Sequence, residues 1–410
     1  MDGEIFKKPR IALCMIVKNE SHIIHECLNS IYKYIDYWII SDTGSTDGTQ
    51  DIIKKFFEEK GIPGELHQDE WKNFGHNRTL ALRHCDDKAE YAWMIDADDR
   101  VEGTIDFPKE MTGDGYLLRM GKKEFSWWRT QIFKTESRWE YKGVLHEYPQ
   151  PQKQNAVLIR LEGNYNVDAR TLGARNVGIT PVEKYSRDAE LLEKALVDEP
   201  ENSRYQFYLA QSYFDSQQWE KAIIAYKKRA EMGGWQEEVY YSLYRIAVSR
   251  SFLERPWPEI FASFMDAYNY RPIRSEPLVH ISQMLRQMHG QPAAAFIFAR
   301  QAAEMPFPQG EILFVPDIIY KFSALDELGA TAHAAGRPEL GYLACKKLLE
   351  EGRCPQSEVE RVQNNFNQYR TIMEQIGEQK KQYELQQQKI NEQKPEVKKV
   401  KFKKRNKIKS

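Results

Sequence analysis

From residue 11 to about residue 95 the chain alternates short apolar runs with stretches whose apolar residues return at helical spacing. Ile11 to Val17 is a run of seven residues without a charge, the pattern of a strand buried on both faces. Ser21 to Tyr34 follows at helical period, then Tyr37 to Ser41 as a second strand and Gln50 to Lys60 as a helix. Gly64 to His67 reads as a short third strand, Phe74 to His84 as a helix and Tyr91 to Ile95 as the fourth strand. Strand–helix alternation at this pitch predicts a mostly parallel α/β sheet with helices on both faces. Ligands on such sheets bind beyond the carboxyl ends of the strands, so the loops after Val17, Ser41 and Ile95 should share one cleft.

Beyond Gly115 the pattern turns strand-like without helices, over Tyr116 to Met120, Trp127 to Phe133 and Ala156 to Leu161. This predicts an added mixed or antiparallel layer that finishes a first domain, 1–180, near Thr180-Pro181. The rest is helical and carries a repeat. Phe264 and Pro272 recur as Phe298 and Pro306, 34 residues on. Leu192, Ala195 and Pro200 return only loosely as Tyr226, Arg229 and Gly234. The unit Leu209-Ala210-x-x-Tyr213…Trp219-x-x-Ala222-x-x-x-Tyr226 sets small against large residues as tetratricopeptide helix pairs do. An all-α tetratricopeptide-like domain is therefore expected over 181–355, with a plain helical bundle as the alternative. Residues 356–410 divide into a polar, Gln-rich helix to about Asn391 and a lysine-rich tail, Lys394 to Ser410, whose one acid is Glu396. Such a tail cannot bury a core and should be solvated. It could touch anionic surfaces.

Composition narrows the class. The 59 Lys+Arg nearly cancel the 60 Asp+Glu, so no global field advertises a nucleic-acid partner. The five cysteines are scattered without a C-x-x-C pair, which argues against a disulfide framework and suits a reducing compartment. Met1-Asp2-Gly3-Glu4 lacks the basic start of a signal peptide, and no apolar run approaches the roughly 20 residues that span a bilayer. A soluble, cytoplasmic protein, peripheral at a membrane if it works there at all, is the expectation.

Three loops carry candidate chemistry. The sharpest is Ile95-Asp96-Ala97-Asp98-Asp99 at the end of the fourth strand. Carboxylates at i and i+2 beyond a strand end can both reach one hard divalent cation, the remaining ligands coming from phosphate and water. Such an ion is a Lewis acid on a departing phosphate. The second is Ser41-Asp42-Thr43-Gly44-Ser45-Thr46-Asp47-Gly48-Thr49, a strand-to-helix loop in which Asp42 can face a nucleotide and Ser45 and Thr49 cap or turn. The third is Lys18-Asn19-Glu20, directly after the first strand.

In this order, with Phe74-Gly75-His76-Asn77-Arg78 and Trp139-x-x-x-Gly143-x-Leu145-His146-Glu147 behind them, these segments resemble the family 2 glycosyltransferases of GT-A fold. The likeness is to members that append tetratricopeptide repeats, and it runs over roughly residues 10–165. It implies an inverting, metal-dependent transfer of a hexose from a nucleotide-diphosphate sugar, with UDP as the expected nucleotide. The acceptor would be a hydroxyl of a glycan, a lipid-linked sugar or a protein. By position, Lys18, Glu20 and Asp42 would line the nucleotide pocket, Asn77 and Arg78 would lie near the sugar or diphosphate, and Asp96 would serve donor and metal. Asp98 and His146 would complete the metal set, and an imidazole ligand favours Mn²⁺ over Mg²⁺. Inversion needs one general base, for which Glu147 and then Asp99 are the candidates. Neighbours on an extended segment face opposite ways, so His146 and Glu147 cannot both turn inward from a regular strand. Trp127, Trp128, Trp139 and Tyr141 could form an acceptor platform or simply pack. His22, His25 and His67 read as structural or exposed, and the repeats could hold a homodimer or an acceptor protein.

Two other readings compete. A nucleotidyltransferase would carry a glycine-rich basic loop after the first strand, where Val17-Lys18-Asn19-Glu20 stands instead. A non-catalytic scaffold would be expected to have lost an acid of the D-x-D pair or the glycine loop, and both are present.

Overall fold

The computed structural model describes residues 10–122, 125–176 and 178–392. The expectations for Met1–Glu4 and for the tail Lys394–Ser410 fall outside the described residues. Two compact units result, one running to Gly234 and the other starting at Trp235.

The first unit is built on β1 (Ile11–Val17), α1 (Ile24–Ile31), β2 (Tyr37–Asp42), α2 (Thr49–Lys60), β3 (Gly64–Gln68), α3 (Phe74–Cys85) and β4 (Tyr91–Met94). Strand β1 pairs in parallel with β2 and β4, and β2 with β3. The charge-free run of β1 buries both faces. Ile11, Leu13, Met15 and Val17 pack with Ile24, Leu28 and Ile31 of α1 and with Ile53 and Phe57 of α2. Ala12 and Cys14 face Ala81, Leu82 and Cys85 of α3. The period-2 alternation of a strand thus serves two helical layers. Helix α1 begins later than the sequence period suggests, because Glu20 to Ile23 form a turn whose Ile23 and Ile24 N–H groups both reach the Glu20 carbonyl, at 3.0 and 2.9 Å.

The added layer consists of β5 (Arg100–Gly103), β6 (Gly115–Lys122), β7 (Phe125–Lys134), β8 (Trp139–Lys142), β9 (Tyr148–Pro151), β10 (Leu158–Arg160) and β11 (Tyr165–Asp168). Strand β7 runs antiparallel to β4, so the parallel half passes into a mixed half. The nine-stranded sheet has the order β3-β2-β1-β4-β7-β6-β11-β5, with β10 beside β6. Strands β8 and β9 form a separate antiparallel hairpin. Strands β5, β8, β9 and β11 were not visible as apolar runs, since each is four residues long and, unlike the equally short β4, mixes polar or charged residues into that length.

Helices α4 (Pro181–Asp198), α5 (Ser203–Asp215) and α6 (Trp219–Glu231) complete this unit. Thr180 starts α4 with a reciprocal capping box to Glu183, and Pro181 stands at its first position, where a missing N–H costs nothing. The second unit is all helical: α7 (Gln236–Phe252), α8 (Trp257–Tyr270), α9 (Glu276–Gln287), α10 (Pro292–Glu304), α11 (Ala324–Thr331), α12 (Pro338–Glu350) and α13 (Val359–Glu392). Consecutive helices pack as neighbours through α13, the tetratricopeptide-like arrangement. The 34-residue repeat has a structural meaning here. Pro272 and Pro306 each stand two residues past a helix end, after α8 and α10, where proline blocks continuation.

Candidate active site

The loops after β1, β2 and β4 come together, as the sheet topology requires. The Thr43 N–H bonds to the Val17 carbonyl at 2.9 Å, tying the ends of β1 and β2. Asn19, with φ of +57°, donates its N–H to Ser45 Oγ at 2.9 Å and accepts the Thr46 N–H on its side-chain oxygen at 2.8 Å. The Glu20 N–H donates to Thr49 Oγ1 at 2.8 Å. The polar residues of the second loop therefore stitch it to the first.

Asp42 is 1 % exposed. One carboxylate oxygen accepts from the N–H groups of Gly44 and Ser45, at 2.9 and 2.8 Å, and from Gln50 at 3.1 Å. The other, Oδ2, is buried without a protein partner, an arrangement costly unless something else answers it. A cavity of about 560 Å³ opens beside these loops, lined by Lys18, Glu20, Thr43, Trp71, Phe74 and Arg175 among others. That volume lies in the range of small-molecule sites. Lys18 is exposed at its edge.

At the tip of β4, Asp96 pairs with Arg78 and, at 3.6 Å, with Arg129 of β7. Burial works against the Asp96 charge, but the two guanidinium groups hold its carboxyl below the usual carboxylate range. Asp98 Oδ2 accepts the backbone N–H groups of Leu172 and Gly173, each at 2.9 Å, and Glu20 accepts that of Ala174 at 3.2 Å. A strap after β11 thus lies across both acids, its Gly173 so close that a Cβ would stand 3.4 Å from Asp98 Oδ2 and 3.3 Å from Glu20 Oε1. Burial raises the carboxyls of Glu20 and Asp98 above their ordinary values, with the charge of Asp98 adding to the first and that of Asp96 to the second. Asp99 is 2 % exposed and its Oδ2 has no partner. Burial first, and Asp96 next, push it well above the carboxylate range. Asp99 lies deeper than half-buried Glu147 and is the less accessible of the two base candidates.

The neighbours His146 and Glu147 part company. They stand at the tip of the β8–β9 hairpin, where Gly143 has φ of +107° and His146 of +52°. The left-handed turn sends Glu147 inward to Arg78, with 2.8 Å between Oε1 and Nε. It sends His146 outward, its ring stacked on Tyr208 of α5 at 3.9 Å between centroids. Among the described residues no three His, Cys, Asp or Glu side chains converge in a way that could hold a metal ion. The expected ligand set Asp96, Asp98 and His146 is thus corrected: the two aspartates share a strand end, and the histidine is not brought to them.

Two other expectations change. The amide of Asn77 is engaged by its own loop, accepting from Lys72 at 2.9 Å and Asn73 at 3.3 Å and donating to the Glu70 carbonyl at 2.9 Å. It shapes the loop that carries Trp71 and, 0 % exposed, offers no surface to a sugar. Trp139 and Tyr141, 3 % and 6 % exposed, pack on Phe133 beneath α3. They belong to the core, and only Trp127 and Trp128 reach the surface, so the four aromatics are not one platform. The sequence reading missed Arg129 and the strap around Gly173. Nothing local marks either, because each meets its acid only through the folded sheet.

An α/β sheet with a cavity at its parallel strand ends and acids at the tip of β4, followed along the chain by helical repeats, is the arrangement of a glycosyltransferase with appended repeats. Residues 12–109 match the model of Glycosyl transferase family 2, and the chain carries that family's domain at its N-terminus. It is 27 % identical over 238 residues to the SPbeta prophage-derived glycosyltransferase SunS of Bacillus subtilis, covering 54 % of this chain and 53 % of that protein. The chain thus spans about half the length of that relative. It is 32 % identical over 92 residues to a TPR repeat-containing protein of Synechococcus elongatus, covering 22 % of this chain and 21 % of the other. S. aureus TarS 1–349, solved in complex with UDP-GlcNAc, is 14 % identical, covers 60 % of this chain and 93 % of its own, and gives a TM-score of 0.36. The fold assignment rests on the strand order and not on that superposition. Among the described residues no helix is long and apolar enough to cross a membrane.

Proposed function

We propose that the protein is an inverting, divalent-metal-dependent glycosyltransferase that moves a hexose from a nucleotide-diphosphate sugar, UDP-linked, to an acceptor hydroxyl. The observation that carries this is the surplus of acid at one strand end. Asp98, Asp99 and Glu20 all have raised carboxyls, and two buried oxygens, Asp42 Oδ2 and Asp99 Oδ2, have no protein partner. Such a corner is costly by itself and is relieved by a cation and by donor hydroxyl groups.

In this reading Asp98 and Asp96 hold the cation, and pyrophosphate and water supply the remaining ligands, a set that suits Mn²⁺ or Mg²⁺. The ion supplies charge compensation for the departing diphosphate when bound. The free oxygen of Asp42 takes a hydrogen bond from the nucleoside, and Trp71 and Phe74 give it apolar walls. Arg78, held between Asp96 and Glu147, keeps both carboxylates in place. Glu147 takes the proton of the acceptor hydroxyl. A glycan, a lipid-linked sugar or a protein side chain would present that hydroxyl.

Purified full-length protein incubated with a panel of nucleotide sugars and Mn²⁺ tests the reading through release of nucleoside diphosphate. We expect one UDP-sugar to be turned over and EDTA to stop it. Donor turnover that survives exhaustive chelation would overturn the metal assignment. No release from any donor, with no binding of UDP either, would overturn the function.

A further inference from the structure

We propose that Arg204 and Tyr208 of α5 are positioning residues that aim Glu147, so that the first unit's own repeat-type helices are part of its catalytic machinery. The inference rests on Glu147 acting in the transfer described above. The segment 143–147 is a hairpin tip with no ladder of its own, since the register of β8 and β9 ends at Lys142 and Tyr148. It is clamped from two sides instead. On one side α3 presses its Gly75 against the Gly143 carbonyl, where a Cβ could not fit, and the Tyr141 N–H donates to Thr79 Oγ1 at 2.8 Å. On the other side α5 supplies both contacts to His146. Arg204 Nη2 donates to its carbonyl at 2.9 Å, and Tyr208 stacks on its ring at 13° between planes. The Arg204 guanidinium also lies 5.0 Å from the ring centroids of both Tyr148 and Tyr208, so it bridges the residues flanking Glu147.

This clamp has something to hold. A non-glycine residue at φ of +52° is disfavoured and persists only where the surroundings over-determine it. The left-handed turn at His146 is also what separates its side chain from that of Glu147. Without Arg204 the tip can relax to negative φ, and the rotation carries Glu147 off Arg78. Neither Arg204 nor Tyr208 needs to touch donor or acceptor for this. Small misplacements of a reacting group are expensive because the reaction depends on near-attack geometry.

The test is a double-mutant cycle on the full chain, read as kcat and KM for the donor that wild type turns over. Arg204→Ala should lower kcat about 10- to 100-fold with donor KM and Mn²⁺ affinity within about twofold of wild type. Arg204→Lys, which keeps the charge but loses the planar bridge, should recover only part. In a Glu147→Gln background Arg204→Ala should change the residual rate by less than about twofold, because it acts through that carboxylate. Tyr208→Leu is the second variant, checked by circular dichroism to be folded, and should show the same split. Additive losses, or an unchanged kcat in both folded variants, overturn the positioning role while leaving the transferase reading intact. A wild-type protein that turns over no donor overturns both.

Discussion

In the helical unit the buried acids Glu276, Glu311 and Glu237 are each held by protein donors. Glu276, 1 % exposed, takes Arg274 on one oxygen at 2.8 and 2.6 Å and the hydroxyls of Tyr320 and Tyr240 on the other at 2.9 and 3.3 Å. Glu311 is gripped by Arg271 at 2.6 Å, and Glu237 accepts the N–H groups of Ile312 and Leu313 at 2.8 and 2.7 Å. These pairs fasten the irregular stretch between α10 and α11. Around the tip of β4 the opposite holds. Asp42 and Asp99 each keep an unanswered buried oxygen, and Asp98 and Glu20 meet backbone N–H groups of the strap, which carry no compensating charge. Both regions bury charge. Paired acids hold the fold, and the unanswered carboxylate oxygens at the strand ends are what the proposed donor and cation would satisfy.

The sharpest way to break this comparison is Asp98→Ala. It should cut kcat/KM by about 10³-fold or more, roughly 4 kcal/mol, while the melting temperature stays within about 3 °C. A variant with near-normal turnover would remove Asp98 from the chemistry. Arg274→Ala should do the reverse. It leaves buried Glu276 without its cation, so unfolding by urea should lose about 3–5 kcal/mol, with turnover per folded molecule retained. If stability were unmoved, the network in the helical unit would not be the fastener described.

Smaller effects come from titration. Asp99 has its folded carboxyl raised, so the folded protein binds the proton more tightly than the unfolded chain does. Its contribution therefore declines as pH rises from the ordinary aspartate value of about 3.9 toward the raised folded value. Asp99→Asn should remove that decline and leave the protein at least as stable at pH 7, which thermal melts across pH would detect. A clear loss of stability at pH 7 would show that the ionised form is needed for folding. The smallest effect belongs to His146. Crowding of its ring, then the charges of Arg204, Arg175 and Lys184, pull it down to about 4 although one side stays open to solvent. The unfolded chain then takes up a proton first. Stability contributed by the neutral ring is present above about pH 6.5 and is lost as pH falls toward 4. His146→Phe, which keeps the stack, should flatten that part of the profile.

Much of the first unit was legible locally. The run Ile11–Val17, the loop from Ser41 to Thr49 and the acids after β4 declare themselves by period and by turn chemistry within a few residues of each other. Strands β5, β8, β9 and β11 did not, because each mixes polar residues into four positions, where the equally short β4 is wholly apolar. The base candidates were ambiguous for a related reason. Adjacent residues on a regular strand diverge, and only the sign of φ at His146 says which of the pair turns inward.

The sequence by itself determined the strand–helix order, the cleft at the strand ends and the acids that reach it, since each depends on hydrogen bonding and burial along a short stretch. Only the tertiary structure decided that Arg129 and Arg78 share Asp96, that the Gly173 strap lies on Asp98, and that Asn77 serves its own loop. It also decided that α5 fixes the hairpin tip. These pairings join residues as much as 75 positions apart. Whether such groups meet depends on how the whole chain closes, which no local pattern carries.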